Sequence, residues 1–210
     1  MNLPNGLTVA RIAVTPLIAI LPMAHSWSVR LVAFLLFTTA AVTDYIDGYL
    51  ARSRQEETDL GRLLDPLADK LLLLGTFVPM VILAPHFPFV TPFGLIGLPW
   101  WIVAIVLGRE VAMTIYRQAA ARRGIVIAAI GPAKWKTAFQ LIWQGSAYFW
   151  FFAATLAATQ GWTTSSWQDF ALFNGTVGTF MMVGAVALTV YSLAVYFRHI
   201  GSVFATAPGK

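Results

Sequence analysis

The stretch Thr43–Lys70, TDYIDGYLARSRQEETDLGRLLDPLADK, carries four carboxylates at set places: Asp44 and Asp47, then Asp65 and Asp69. Gly48, Ala51, Arg52 and Gly61 stand between the two pairs, and apolar sequence flanks the stretch on both sides. A charged side chain in or near a membrane span is rare unless it pairs, binds an ion or faces water, so these acids mark a functional site. Asp44 and Asp47 are three residues apart, and Asp65 and Asp69 four. On helices, each spacing puts both acids on one face. A helical hairpin, with a short charged loop and a turn at Gly61 between its arms, brings the two faces together at the membrane edge. Glu56, Glu57 and Asp59 read differently, as solvated loop charges answering Arg52, Arg54 and Arg62.

The whole chain supports a membrane setting. Its 210 residues are 58% apolar and only 11% charged, with a mean hydropathy of +0.71. A soluble domain carries about 25% charged residues, so a water-soluble globule is excluded as the expectation. There is no cysteine, which removes disulfides, cysteine zinc sites and thiol chemistry. The net charge of +5 asks for anionic partners. In a membrane protein these are lipid headgroups and phosphorylated substrates rather than nucleic acid.

Crossing the bilayer core takes about 20 mostly apolar residues. Six stretches qualify, roughly 7–25, 30–50, 66–84, 96–117, 136–158 and 171–197. The expected fold is therefore all-α, one domain over residues 1–210, a bundle of six transmembrane helices with its cavity facing the cytoplasm. The first apolar run follows no basic n-region or cleavage site and is expected to be retained as a span. Pro4, Asn5 and Gly6 mark a turn or short surface segment before it. Thr8 and Arg11 lie one helical turn apart on it. The third span is expected to start at Asp65-Pro66, with the proline in the first turn. The segment from Pro85 to Pro99 reads as an uncharged loop rich in Pro, Gly and Phe, and Gly161 to Trp167 as an interfacial turn.

Lysine and arginine set the orientation. Arg52, Arg54 and Arg62 lie in the loop after the second span. Arg117, Arg122, Arg123, Lys134 and Lys136 fall in the connector after the fourth, and Arg198 and Lys210 in the tail. The opposite loops hold only Arg30, near a span end. The positive-inside rule then puts both termini and the acidic stretch in the cytoplasm. His25, His86 and His199 read as interfacial, and the eight tryptophans as interfacial belts and packing.

Four converging carboxylates repel one another, so something must neutralise them. Two divalent cations balance the charge, and hard oxygen ligands suit magnesium or manganese. Such a site suits substitution at phosphorus: it clamps a pyrophosphate and stabilises a leaving oxygen. Gly48 lets a bulky ligand approach the helix backbone, and Arg52, a turn further on, is placed to fork onto a phosphate. An acid less committed to metal is suited to accept the proton of an attacking alcohol.

Asp44-x2-Asp47-Gly48-x2-Ala51-Arg52-x8-Gly61-x3-Asp65-x3-Asp69 resembles the complete signature of the CDP-alcohol phosphotransferase family. The resemblance implies a six-span membrane enzyme, commonly a homodimer, that displaces CMP from a CDP-linked substrate with an alcohol and divalent metal. By position it makes Asp44, Asp47 and Asp65 metal ligands, and Asp69 the fourth acid and general base. Gly48, Ala51 and Arg52 would line the CDP pocket together with Asp47, and Gly61 would shape the turn beneath it.

Two further stretches resemble the phosphatidylglycerophosphate synthase branch of that family. One is the opening PNGLTVAR. The other comprises Arg109-Glu110 with Arg117, Gly124 and the run Lys134-x-Lys136-Thr137-x2-Gln140. The implied substrates are CDP-diacylglycerol and sn-glycerol 3-phosphate, among membrane lipids. Arg109, Arg117, Lys134 and Lys136 either take the acceptor's phosphate or only satisfy topology and touch anionic lipid, as Arg122 and Arg123 do. Glu110 either orients Arg109 or meets substrate, and Asn5 and Thr8 either contact the nucleotide or cap a helix. Ala133 stands where related synthases have glycine. Alternatives remain: another acceptor (phosphatidylglycerol, inositol phosphate or serine), or an ion transporter, which would place its acids near the midplane and on repeated halves.

Overall fold

The computed structural model describes the backbone of residues 3–54, 59–121 and 132–205, and the side chains of residues 5–44, 46, 64, 66–121 and 135–196. Through these run α1 (Leu3–Ile20), α2 (Trp27–Arg54), α3 (Asp59–Leu83), α4 (Trp100–Ala121), α5 (Pro132–Gln160) and α6 (Ser165–Ala205). By length and composition, four stretches among the described residues are able to cross a membrane: Asn5–Met23, which is α1 with the short 3-10 turn after it, Trp27–Asp44 in α2, Pro66–Leu83 in α3 and Ser165–Tyr196 in α6. The protein is all-α and polytopic. The α4 and α5 segments also expected as spans are less apolar, because they carry Arg109, Glu110 and Arg117, and Lys136, Gln140 and Gln144.

Local expectations are corrected at three places along the chain. No turn separates Pro4–Gly6 from the first helix, since α1 begins at Leu3 and runs through Asn5 and Gly6. The turn between α2 and α3 does not fall at Gly61, and Pro66 is not in a first helical turn. α3 already begins at Asp59, so both residues lie inside it. Glycine costs a helix only about 1 kcal/mol, which the leucines around Gly61 outweigh. Pro66 forgoes one helical hydrogen bond, a loss that membrane helices tolerate. The third correction is that the segment from Pro85 to Pro99 is not wholly a loop. Within it β1 (Phe89–Thr91) pairs antiparallel with β2 (Gly94–Ile96), Phe89 opposite Ile96. Thr91 closes the hairpin by donating from its hydroxyl to the Gly94 carbonyl at 2.7 Å.

The chain divides into two compact units, Met1–Pro99 with Gln144–Thr179, and Trp100–Trp143 with Phe180–Lys210. In the first, α1 packs on α2 and α3 around Ile18, Phe37, Phe77, Met80, Tyr148 and Phe151, all buried. Gly75 lets α1 and α3 approach, since a Cβ there would lie 2.7 Å from Thr15 Cγ2. Small residues serve this purpose where helices meet in a membrane. Tyr148 donates its hydroxyl to the Ile18 carbonyl at 3.1 Å and stacks on Phe37. Gln144 donates from Nε2 to Thr76 Oγ1 at 2.9 Å. The turn expected at Gly161 is present: Gly161 has φ +67° and Trp162 N–H donates to the Ala157 carbonyl. Trp167 lies within α6 and stacks on Trp150. In the second unit, Met113 and Tyr196 form a buried contact between α4 and α6.

Candidate active site

Asp44, Asp47, Gly48, Ala51 and Arg52 all fall on the last part of α2, and Gly61, Asp65 and Asp69 on the first part of α3. Both acid pairs are therefore on helical backbone, at the spacings that share a face. The side chains of Asp47, Tyr49, Ala51, Arg52 and Asp65 lie outside the described residues, as does that of Lys134 in the second unit. Asp44 and Asp69 are described, and one side chain joins them. Arg11, from α1, donates from Nη1 to Asp44 Oδ1, and the same nitrogen lies 3.4 Å from Asp69 Oδ1. One carboxylate from each of the two helices thus converges on one guanidinium.

The burial is uneven. The Arg11 side chain is 1% exposed, while those of Asp44 and Asp69 are 41% and 62% exposed. The acids open outward and the arginine lies beneath them. Asn5, Thr8, Arg11 and Thr15 are all buried, at steps of three, three and four along α1. They form one polar stripe on an otherwise apolar helix. Asn5 and Thr8 belong to that stripe, inside α1, so the helix-capping alternative does not hold for either. Arg11 is the site residue that the sequence reading left without a role. Its signal was present, because a polar residue at helical spacing from Thr8 in a span needs a partner.

In the second unit, Arg109 on α4 is buried and donates from Nη1 to Glu110 Oε1 at 2.9 Å and from Nη2 to Ser192 Oγ at 3.2 Å. Lys136 on α5, also buried, donates from Nζ to the same Glu110 oxygen. Ser192 in turn donates to the Thr189 carbonyl at 2.9 Å. Two of the predicted acceptor-phosphate cations are thereby brought to one carboxylate, while Arg117 is exposed further along α4. Arg109 Nε and Gln140 Nε2 are buried without a hydrogen-bond partner among the described residues. A buried donor left open costs stability, which is a reason to look for a ligand beside it. Ser192 was not legible as a site residue, being one serine in a long apolar helix.

A polytopic helical membrane protein with paired aspartates on adjoining helices is the class that this fold and site define. Its particular family follows from the comparisons. The family model for CDP-alcohol phosphatidyltransferase matches residues 1–196, and the chain belongs to that family. Among curated relatives, CDP-diacylglycerol--glycerol-3-phosphate 3-phosphatidyltransferase 1 of Arabidopsis thaliana is 30% identical over 97% of this chain and 64% of its own length. The Bacillus subtilis (strain 168) protein named CDP-diacylglycerol--glycerol-3-phosphate 3-phosphatidyltransferase is 37% identical over 67% of this chain and 73% of its own. The cardiolipin synthase (CMP-forming) of Oryza sativa subsp. japonica is 31% identical over 95% of this chain and 57% of its own length. The chain thus spans less than two thirds of the length of these two plant relatives.

Proposed function

We propose that this chain transfers the phosphatidyl group of CDP-diacylglycerol to the primary hydroxyl of sn-glycerol 3-phosphate, giving phosphatidylglycerophosphate and CMP. The observation that carries the proposal is the complete aspartate signature on α2 and α3, with Asp44 and Asp69 drawn to one arginine. The names of the Arabidopsis and Bacillus relatives support the acceptor.

In the reaction, Asp69 accepts the proton of the glycerol hydroxyl, whose oxygen attacks the phosphorus that bears diacylglycerol. A new phosphorus–oxygen bond forms, the bond to the bridging oxygen of the pyrophosphate breaks, and CMP leaves. Arg52 meets the phosphate of the departing nucleotide, and Gly48 and Ala51 leave room for it. Asn5 and Thr8 border the nucleotide from α1. Arg109 and Lys136, with Lys134 and Arg117, take the phosphate of the acceptor.

The family is generally divalent-metal dependent, and the donor set here fits. Asp44 and Asp69 offer hard carboxylate oxygens that converge and face outward, which suits magnesium or manganese. Asp44, Asp47, Asp65 and Asp69 would hold two such ions, whose chemistry is to neutralise the pyrophosphate and stabilise the leaving oxygen. The excess of Lys and Arg near the aspartate edge supports a site and termini on the cytoplasmic side, and the family resemblance is what supports a homodimer.

The deciding experiment incubates purified protein with labelled CDP-diacylglycerol and, in turn, glycerol 3-phosphate, phosphatidylglycerol, inositol phosphate and serine, with and without Mg2+ or Mn2+. Labelled phosphatidylglycerophosphate and CMP are expected only with glycerol 3-phosphate and metal. Product with phosphatidylglycerol instead would favour the cardiolipin reading that the rice relative brings. No CMP with any acceptor would leave ion transport as the better account.

A further inference from the structure

We infer that Arg11 is the built-in counter-cation of the aspartate cluster: it holds Asp44 and Asp69 together without metal and competes with a divalent cation for their oxygens. The inference rests on the reading of the aspartates as metal ligands. Arg11 enters from α1, 33 residues before Asp44 and 58 before Asp69, and a single nitrogen addresses one oxygen of each. A merely structural arginine would need one acid on one neighbouring helix; this one draws together the two helices of the signature.

The geometry also gives the arginine and a metal different approaches. Arg11 lies inside at 1% exposure, whereas both carboxylates are over 40% exposed. An ion from solvent therefore reaches the acids from the open side while the guanidinium stays beneath them. Two effects then oppose each other when Arg11 is removed. Loss of its grip frees the carboxylates to reorient, which weakens metal binding by side-chain entropy. Loss of its charge removes like-charge repulsion at a few ångströms, which strengthens metal binding. Repulsion at that range in a partly desolvated site is the larger effect, because ordering one short aspartate side chain costs little. By linkage, the metal must relieve the same repulsion that Arg11 neutralises in its absence.

The test uses the full chain in detergent micelles, with Mn2+ affinity read from the paramagnetic resonance signal of free Mn2+. Unfolding temperature is followed separately in EDTA and in saturating Mn2+. Arg11→Met is expected to bind Mn2+ about tenfold tighter than wild type. It is expected to unfold about 3 °C or more below wild type in EDTA, with most of that deficit gone in Mn2+. A purely structural role would lower both unfolding temperatures alike, and that result, or Mn2+ binding no tighter than wild type, overturns the inference. If Arg11→Met does not fold, Arg11→Lys takes its place. Its compact ammonium reaches one acid only, so the same metal-dependent deficit is expected at smaller size, and its absence is equally decisive. Wild-type protein that binds no Mn2+ overturns the metal reading itself. Mn2+ binding that Asp47→Asn abolishes and Arg11→Met leaves unchanged overturns the Arg11 inference alone.

Discussion

Arg109 on α4 donates from Nη2 to the hydroxyl of Ser192 on α6, 3.2 Å away. Glu110 holds the other terminal nitrogen at 2.9 Å, so the fork is fixed in direction and its Nε stays open among the described residues. If that fork takes the acceptor phosphate, Arg109→Lys removes a charge-assisted pair worth about 1.5–3 kcal/mol. The expected result is a KM for glycerol 3-phosphate raised roughly 10- to 100-fold, with KM for CDP-diacylglycerol near wild type. Ser192→Ala should act in the same direction and more weakly. Steady-state kinetics with each substrate varied in turn checks both.

Asp69 is more exposed than Asp44, which suits its proposed role of meeting the acceptor hydroxyl. Asp69→Asn keeps the shape and loses the base. Turnover should fall by about 10²–10⁴ or more, while CDP-diacylglycerol binding, measured by equilibrium binding of a labelled analogue, is largely spared. Near-normal turnover would remove Asp69 from the base role.

Arg30 is a cation with no place in the proposed chemistry. It is buried, donates from Nε to the Pro22 carbonyl at 3.0 Å and from Nη1 to Thr155, and lies 4.5 Å over the Phe87 ring. It ties α2 to the turn after α1, to α5 and to the chain leaving α3. Arg30→Ala should destabilise the protein by about 2–4 kcal/mol, read as a lower unfolding temperature in detergent. The Michaelis constants of the folded fraction should not move, which separates Arg30 from Arg109.

Gly175 on α6 faces the β1 backbone: a Cβ there would collide with the carbonyl and amide of Val90. Backbone yields less than a side chain, so Gly175→Ala should cost about 1–3 kcal/mol. At Gly108 on α4 an added Cβ meets nothing within 4 Å, and Gly108→Ala should stabilise by about 0.5–1 kcal/mol, the amount glycine costs a helix interior. Thermal unfolding of the two variants side by side makes the comparison.

Much of this was legible from residue spacing alone. Long apolar runs have one outlet in a bilayer, a helix whose backbone satisfies itself, so the helical fold could be read without coordinates. The aspartate pairs were legible because helical periodicity is local, and a three- or four-residue step fixes a shared face wherever the helix sits. Helix starts were read less well. Gly61 and Pro66 carry turn signals that were outweighed by the apolar run around them. The β1–β2 hairpin escaped because three-residue strands have no periodicity to detect, and Pro92 at the tip points to a loop.

By itself the sequence determined the family signature on which the proposed chemistry rests: four acids at helical spacing, an arginine and glycines among them, and no cysteine or nearby histidine. Local spacing suffices there, because the pattern is written within one hairpin. Only the tertiary structure decided which cations serve which acids. Arg11 reaches Asp44 and Asp69 because α1 lies against α2 and α3, and Arg109 and Lys136 share Glu110 with Ser192 as the fourth member. Apart from the neighbours Arg109 and Glu110, these partners are tens of residues apart in sequence. Electrostatic pairing depends on distance in space, which no spacing along the chain records.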